Sequence, residues 1–146
     1  MPSRKLIGTI LIEAGLITPA HLEEALAMQK RDPRRIGRIL LDMGLLDEAE
    51  FLKHLAVQLG VSFISLPHYL VDPAIARLLP ERICRRHRLI AINKIGNRLT
   101  VAMDDPQDLI AIDDVQLLTG LIVKPMLASG SALIRILDEV YSLPTP

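Results

Sequence analysis

The sequence predicts an α+β fold. An N-terminal pair of helical hairpins, made from a tandem repeat, packs on a small C-terminal α/β subdomain with a short mixed sheet. Two observations predict this. The stretch from Leu6 to Gln58 says the same thing twice. After Gly60 the apolar pattern changes from helical spacing to short runs rich in β-branched residues. The division expected is a helical subdomain over 1–60 and an α/β subdomain over 61–146, together one domain.

LIGTILIEAGLITPAHLEEALAMQ runs from Leu6 to Gln29, and RIGRILLDMGLLDEAEFLKHLAVQ from Arg35 to Gln58. The second copy is the first shifted by 29 positions (Gln58 against Gln29). Gly8 falls on Gly37, Leu11 on Leu40, Gly15 on Gly44, Leu26 on Leu55 and Gln29 on Gln58. Five residues, Lys30 to Arg34, separate the copies. A repeat of this kind is one supersecondary unit that buries its apolar face against its twin.

In copy one, Ile7, Ile10, Leu11 and Ala14 follow helical spacing. Gly15 suits a left-handed C-terminal cap. Thr18 is an N-cap candidate with Pro19 at the first helical position, where its missing N–H costs nothing. Leu22, Ala25, Leu26 and Gln29 share a face of the next helix. Copy two repeats the scheme, with Gly44 as stop, Asp47 as N-cap and Glu50 as the capping-box partner. Gly60 ends the fourth helix. The hairpins are expected to pack through Leu11, Leu22 and Leu26 against Leu40, Phe51 and Leu55. On that assignment Leu26→Asp would unfold the front half.

Beyond Gly60, Val61 to Leu66 reads as a short strand and PHYLVDP as a connector. Asp72 with Pro73 opens a short helix, and Pro80 another that carries Cys84, Arg85, Arg86, His87 and Arg88. Leu89 to Ile95 and Arg98 to Met103 are strands joined by a turn at Gly96-Asn97. Asp104-Asp105-Pro106 forms a turn. Asp108 to Leu118 is a helix stopped by Gly120, Leu121 to Leu127 a strand, and Ser131 to Ser142 the last helix.

The 146 residues are half apolar, with Phe51, Phe63, Tyr69 and Tyr141 as the aromatics. A sizeable aliphatic core is therefore possible. Acidic and basic residues balance at 17 each, so global charge predicts neither nucleic-acid nor membrane attraction. Cys84 is the only cysteine. It excludes an intramolecular disulfide framework and a cysteine-based zinc cluster, and reads as a buried, inert thiol. The start MPSRKL is basic, but Glu13 and Gly15 interrupt any secretory signal. No apolar run approaches the ~20 residues that span a bilayer. The expectation is a cytoplasmic domain without direct membrane insertion.

No phosphate-binding loop of the form GxxxxGK[ST] is present, and no Ser, His and Asp converge in a nucleophile motif. No catalytic residue is assigned, so an enzyme is not expected. His21, His54, His68 and His87 lack metal-ligand spacing and read as isolated surface histidines; no metal is expected. Asp113-Asp114 reads as turn and cap chemistry. Arg85, Arg86 and Arg88 read as a solvated face, and without interleaved aromatics no DNA or RNA partner is expected.

Gly8 and Gly37 lie one turn inside their helices, where glycine costs ~1 kcal/mol against alanine. Close helix packing wants a bare backbone there. So does close approach of an anionic ligand to backbone amides at a helix N-terminus. At the level of the residues both readings stand. Arg35 can stack on a purine and meet a phosphate. Gln29 and Gln58 each end an apolar face with an amide that both donates and accepts.

These residues resemble a known pattern. Each copy is similar to the RLGxxLxxxGxxxxxxLxxxLxxQ motif of the MshEN domain, the N-terminal domain of type II secretion and type IV pilus assembly ATPases. That family carries two such motifs with a five-residue spacer. Copy two has Arg35, Ile36, Gly37, Leu40, Gly44, Leu55 and Gln58 in place, with Phe51 for a leucine. Copy one has Ile7, Gly8, Leu11, Gly15, Leu22, Leu26 and Gln29, but Leu6 where the motif has arginine. LPERICRRHRLIAI, NRLTVAMDDPQDL and LTGLIVKPMLAS in the back half also resemble the family.

The resemblance implies a regulatory module that binds cyclic di-GMP as its ligand, with no cofactor. The residues implied are Ile7, Gly8, Leu11, Leu22, Leu26 and Gln29 from copy one. Copy two supplies Arg35, Ile36, Gly37, Leu40, Phe51, Leu55 and Gln58, and the back half Asp105. Implied partners are the motor domain of a secretion or pilus ATPase and inner-membrane platform proteins. The ATPase part has no counterpart here, which leaves an isolated domain or a stand-alone version. Leu6 can cover a purine face but cannot make arginine's charge-assisted contacts. Leu6→Arg is accordingly expected to tighten binding. The alternative is a docking module that binds no nucleotide and links the ATPase to its membrane platform.

Overall fold

Thr18 and Asp47 hold equivalent places in the two copies, and each opens a helix. Thr18 Oγ1 accepts the His21 N–H at 3.1 Å, and Asp47 Oδ2 accepts the Glu50 N–H at 3.2 Å. These are amides that a first helical turn leaves without partners. The computed structural model describes residues 7–66 and 71–142. Arg4, Lys5 and Leu6 at the start, and His68 and Tyr69 in the connector, lie outside the described residues. The chain divides into two compact units, Met1–Gly60 and Val61–Pro146.

The first unit holds α1 (Ile7–Glu13), α2 (Pro19–Arg31), α3 (Ile36–Asp42) and α4 (Glu48–Leu59). The sequence offset is also a structural one: Ile36 against Ile7, and Glu48 against Pro19. Pro19 takes the first helical position. Gly15 and Gly44 turn the chain at φ +76° and +74°, where a Cβ is strained. The capping box falls in the other copy from the one expected. His21 closes it on α2, its Nδ1 accepting the Thr18 N–H at 3.2 Å. Glu50 instead places its carboxylate 3.5 Å from Lys53 Nζ.

The copies interleave. α1 packs beside α3 and α4, and α2 beside α3. Leu11, Ala25, Ile39, Leu40, Phe51 and Ala56 fill this interior. Leu26 does not join it. It is 45% exposed, because Ala25, one residue and about 100° earlier on the helix, takes the inward position. The expectation that Leu26→Asp unfolds this unit is therefore corrected.

The second unit holds α5 (Pro73–Ala76), α6 (Glu81–His87), β1 (Leu89–Ile95), β2 (Arg98–Met103), α7 (Leu109–Thr119), β3 (Ile122–Leu127) and α8 (Gly130–Ser142). The sheet order is β1-β2-β3. The Gly96-Asn97 turn makes β1 and β2 antiparallel, whereas α7 crosses over to set β3 parallel to β2. The sheet is thus mixed and the fold α+β. Leu89, Ile90, Leu99, Val101, Met103 and Leu133 lie in its core. Gln116 Oε1 accepts the Val123 N–H at 3.0 Å and ties α7 to β3.

Three expectations change in this unit. Val61 to Leu66 makes one bridge, Phe63 to Leu127, rather than a full strand. The Ile64 N–H reaches Leu127 O at 2.9 Å, and the Leu127 N–H reaches Ser62 O at 2.8 Å. Asp113 and Asp114 lie inside α7, whose cap is Asp108, accepting the Ala111 N–H at 3.1 Å. His87 is no surface histidine: its side chain is 8% exposed and its Nε2 lies 3.0 Å from Asp114 Oδ2. Cys84 is buried, as expected, and that burial pushes its thiol pKa up.

Candidate functional site

Gly8 and Gly37 are both buried under the helix that follows them in their own copy. A methyl group on Gly8 would stand 2.8 Å from Leu22 Cδ1. One on Gly37 would overlap the Phe51 ring, with Cε2 at 2.6 Å and Cζ closer still. The Phe51 ring demands a bare backbone at Gly37, whereas the flexible tip of Leu22 makes a looser demand at Gly8. α1 and α3 have seven residues each, too short to accumulate much of the macrodipole that draws an anion to a helix start.

The other motif residues sort by exposure. Leu11 and Leu40 are wholly buried, and Phe51 is 7% exposed. Their side chains hold the helices together. Ile7, Leu22, Gln29, Ile36, Leu55 and Gln58 are half-buried, and Leu26 and Arg35 are exposed. With α2 beside α3 and α1 beside α4, accessible residues of both copies share one unit. Arg35 is the N-cap residue of α3, in extended backbone conformation, and does not cap with its side chain.

The linker between the copies is more ordered than a spacer needs to be. Gln29 Nε2 donates to Arg34 O at 2.9 Å. Arg34 Nε donates to Asp32 Oδ2 at 2.8 Å, and its Nη1 donates to Asp42 Oδ2. The Asp42 hydrogen bond, then the charges of both carboxylates, hold the Arg34 pKa above the ordinary guanidinium value. Sequence reading passes over Arg34. Its signal was the pair of carboxylates flanking it, legible only once α3 fixes where Asp42 lies.

Asp105 belongs to the second unit, in the turn between β2 and α7. Its Oδ1 accepts the Gln107 N–H at 3.1 Å, and its carbonyl accepts the Asp108 N–H at 3.2 Å. The basic run nearby is largely matched by acids. Arg85 reaches Glu81 at 2.7 Å and Asp138 at 2.8 Å, and Arg88 reaches Asp104 at 3.4 Å. Among the described residues no group of three or more His, Cys, Asp or Glu is placed to hold a metal, and no helix is long and apolar enough to cross a membrane.

The sequence model of the MshEN domain matches residues 59–146. Over 136 residues the chain is 31% identical to the type IV pilus assembly ATPase PilB of Myxococcus xanthus, covering 93% of this chain and 24% of that protein. It is 35% identical over 147 residues to PilB of Thermus thermophilus, covering 97% of this chain and 16% of that one. The chain thus spans a quarter or less of these relatives. The structure of MshE with cdg superposes with a TM-score of 0.82 at 36% identity, covering 94% of this chain and 100% of that one. The N-terminal domain of XpsE shares the fold, with a TM-score of 0.69 at 22% identity over 94% of this chain and 97% of that one.

Proposed function

Because the chain belongs to the MshEN domain family, we propose that it is a regulatory module of a type IV pilus or type II secretion ATPase that binds cyclic di-GMP through its two motif copies. The observation that carries this reading is the doubled hairpin. Two equivalent helix pairs interleave within one unit, and each brings an apolar helix face ending in glutamine. A dinucleotide with two guanines and two phosphates has the same near two-fold repetition. Support also comes from MshE, whose structure contains cdg, which we take to be cyclic di-GMP. The PilB relatives favour a pilus ATPase as the partner.

In this reading Leu22, Leu26, Ile36 and Leu55 cover the bases, Gln29 and Gln58 meet polar edges, and Arg35 meets a phosphate. The domain senses the nucleotide and passes the signal to a motor in the cytoplasm, and chemistry is left to that motor.

The second reading is a docking module for the membrane platform. It is favoured by the apolar surface of α7, where Leu109, Ile110 and Leu117 are 70%, 71% and 86% exposed. Calorimetric titration with cyclic di-GMP separates the two. Saturable heat, with a Kd that Arg35→Ala weakens at least tenfold, supports the first, since charge-assisted hydrogen bonds contribute ~1.5–3 kcal/mol. No heat and no thermal shift well above micromolar ligand leaves docking.

A further inference from the structure

We propose that Arg34, which lies between the motifs, is the positioning residue of the nucleotide site: it clamps the linker so that Arg35 is presented in one place. The proposal rests on the cyclic di-GMP reading given above and adds a residue to it. Five contacts carry it. The Asp32 N–H closes α2 on Met28 O at 2.9 Å, and the Arg34 N–H turns back to Asp32 O at 2.7 Å. Gln29 Nε2 holds the Arg34 carbonyl at 2.9 Å. The Arg34 guanidinium spans from Asp32, just past the end of α2, to Asp42, the last residue of α3. Pro33 between them has its φ fixed by its ring.

The backbone that enters Arg35 is thus held through the amide, the carbonyl and the side-chain fork of Arg34. A planar guanidinium suits two carboxylates at once, which a lysine ammonium does not match. Copy two continues differently. Gln58 is followed by Leu59 and by Gly60, which ends α4 in the left-handed conformation. The two glutamines therefore sit in different surroundings. Gln29 gives one amide hydrogen to the linker and keeps its oxygen for the ligand.

Exposed ion pairs add little to global stability. What the clamp contributes is local: Arg35 starts from fewer conformations, and less order has to be imposed when ligand binds. The test uses the full chain, with Arg34→Ala, Asp42→Asn, their double variant and Arg34→Lys. Three quantities are read: Kd for cyclic di-GMP, amide hydrogen exchange over residues 32–36, and melting temperature. Each single variant is expected to weaken Kd about three- to tenfold, with Arg34→Lys in between. The double variant is expected to be no weaker than Arg34→Ala. Exchange at Arg34 and Arg35 should rise while melting stays put. Unchanged Kd in variants of a chain that does bind ligand overturns the clamp alone. So does a loss of affinity that only follows a falling melting temperature. A wild-type chain that takes no cyclic di-GMP overturns the parent reading and the clamp's role in it, even if exchange responds.

Discussion

Gly37 lies directly beneath the ring of Phe51, close enough that a methyl group in its place would stand 2.6 Å from Cε2 and nearer still to Cζ. The matching pair, Gly8 and Leu22, is looser, at 2.8 Å from the tip of a flexible side chain. A leucine methyl can rotate aside, whereas a buried ring has nowhere to go. Gly37→Ala is expected to destabilise the chain by about 1–3 kcal/mol through overpacking, even though alanine is the better helix former. Gly8→Ala should be near neutral. Phe51→Leu added to Gly37→Ala should recover most of the loss, since it gives the alanine–leucine pairing that Gly8→Ala makes in copy one. Urea unfolding of the three variants checks this. Equal losses at the two glycines would show that the ring is not the obstacle.

Leu26→Asp is expected to leave the fold intact. The side chain is 45% exposed, and substitutions at such positions stay within about 0.5 kcal/mol. Affinity for cyclic di-GMP should nevertheless fall about tenfold or more, because a carboxylate replaces an apolar contact beside a dianion. Circular dichroism and calorimetry on the same sample check both halves. Lost helicity at room temperature would put Leu26 back in the core.

The elements were legible because their punctuation is local. Gly15, Gly44, Gly60 and Gly120 end helices by their own backbone preference, and Thr18, Asp47, Asp72 and Asp108 begin them with their own oxygens. Strands β1 and β2 fell where the turn at Gly96-Asn97 placed them. What depends on the neighbouring element was not legible. Ala25 and Leu26 both fit an apolar face, and only the partner helices decide which points inward. His87 looks solvated in a basic run until α7 brings Asp114 beside it. The candidate site divides the same way. Its residue types and spacing were readable, but not that Gly37 serves Phe51, nor that Gln29 holds the linker.

His87 and Asp114 join the end of α6 to the middle of α7 at 3.0 Å, with the imidazole nearly buried. Asp114→Ala removes the partner of a desolvated ring nitrogen. A loss of about 1–3 kcal/mol in unfolding free energy is expected. Asp114→Asn, which keeps a hydrogen-bonding atom in place, should lose less. Identical losses for the two variants would mean that the pair is not a working hydrogen bond.

Tyr141 gives the chain an alkaline limit. Its hydroxyl donates to Leu79 O at 2.5 Å and lies 3.3 Å from Ala76 O and 3.7 Å from Cys84 Sγ. Burial first, then the Cys84 contact, push the phenol pKa well above its ordinary value of 10.0. A phenolate could not donate to these carbonyls and would meet their negative ends. The sign follows: the folded chain holds this proton more tightly than the unfolded chain does. The contribution is therefore complete below about pH 10, and it is lost as pH rises past that point toward the folded value. Cys84, also pushed up by its burial, acts in the same direction from a somewhat lower pH. Tyr141→Phe should cost about 1 kcal/mol near neutrality through the lost hydrogen bond. It should also decline less steeply than wild type between about pH 10 and 12, so the two curves converge. Urea unfolding of both proteins, and of each with Cys84→Ala, follows that convergence. Parallel curves across this range would assign the alkaline loss to groups other than Tyr141.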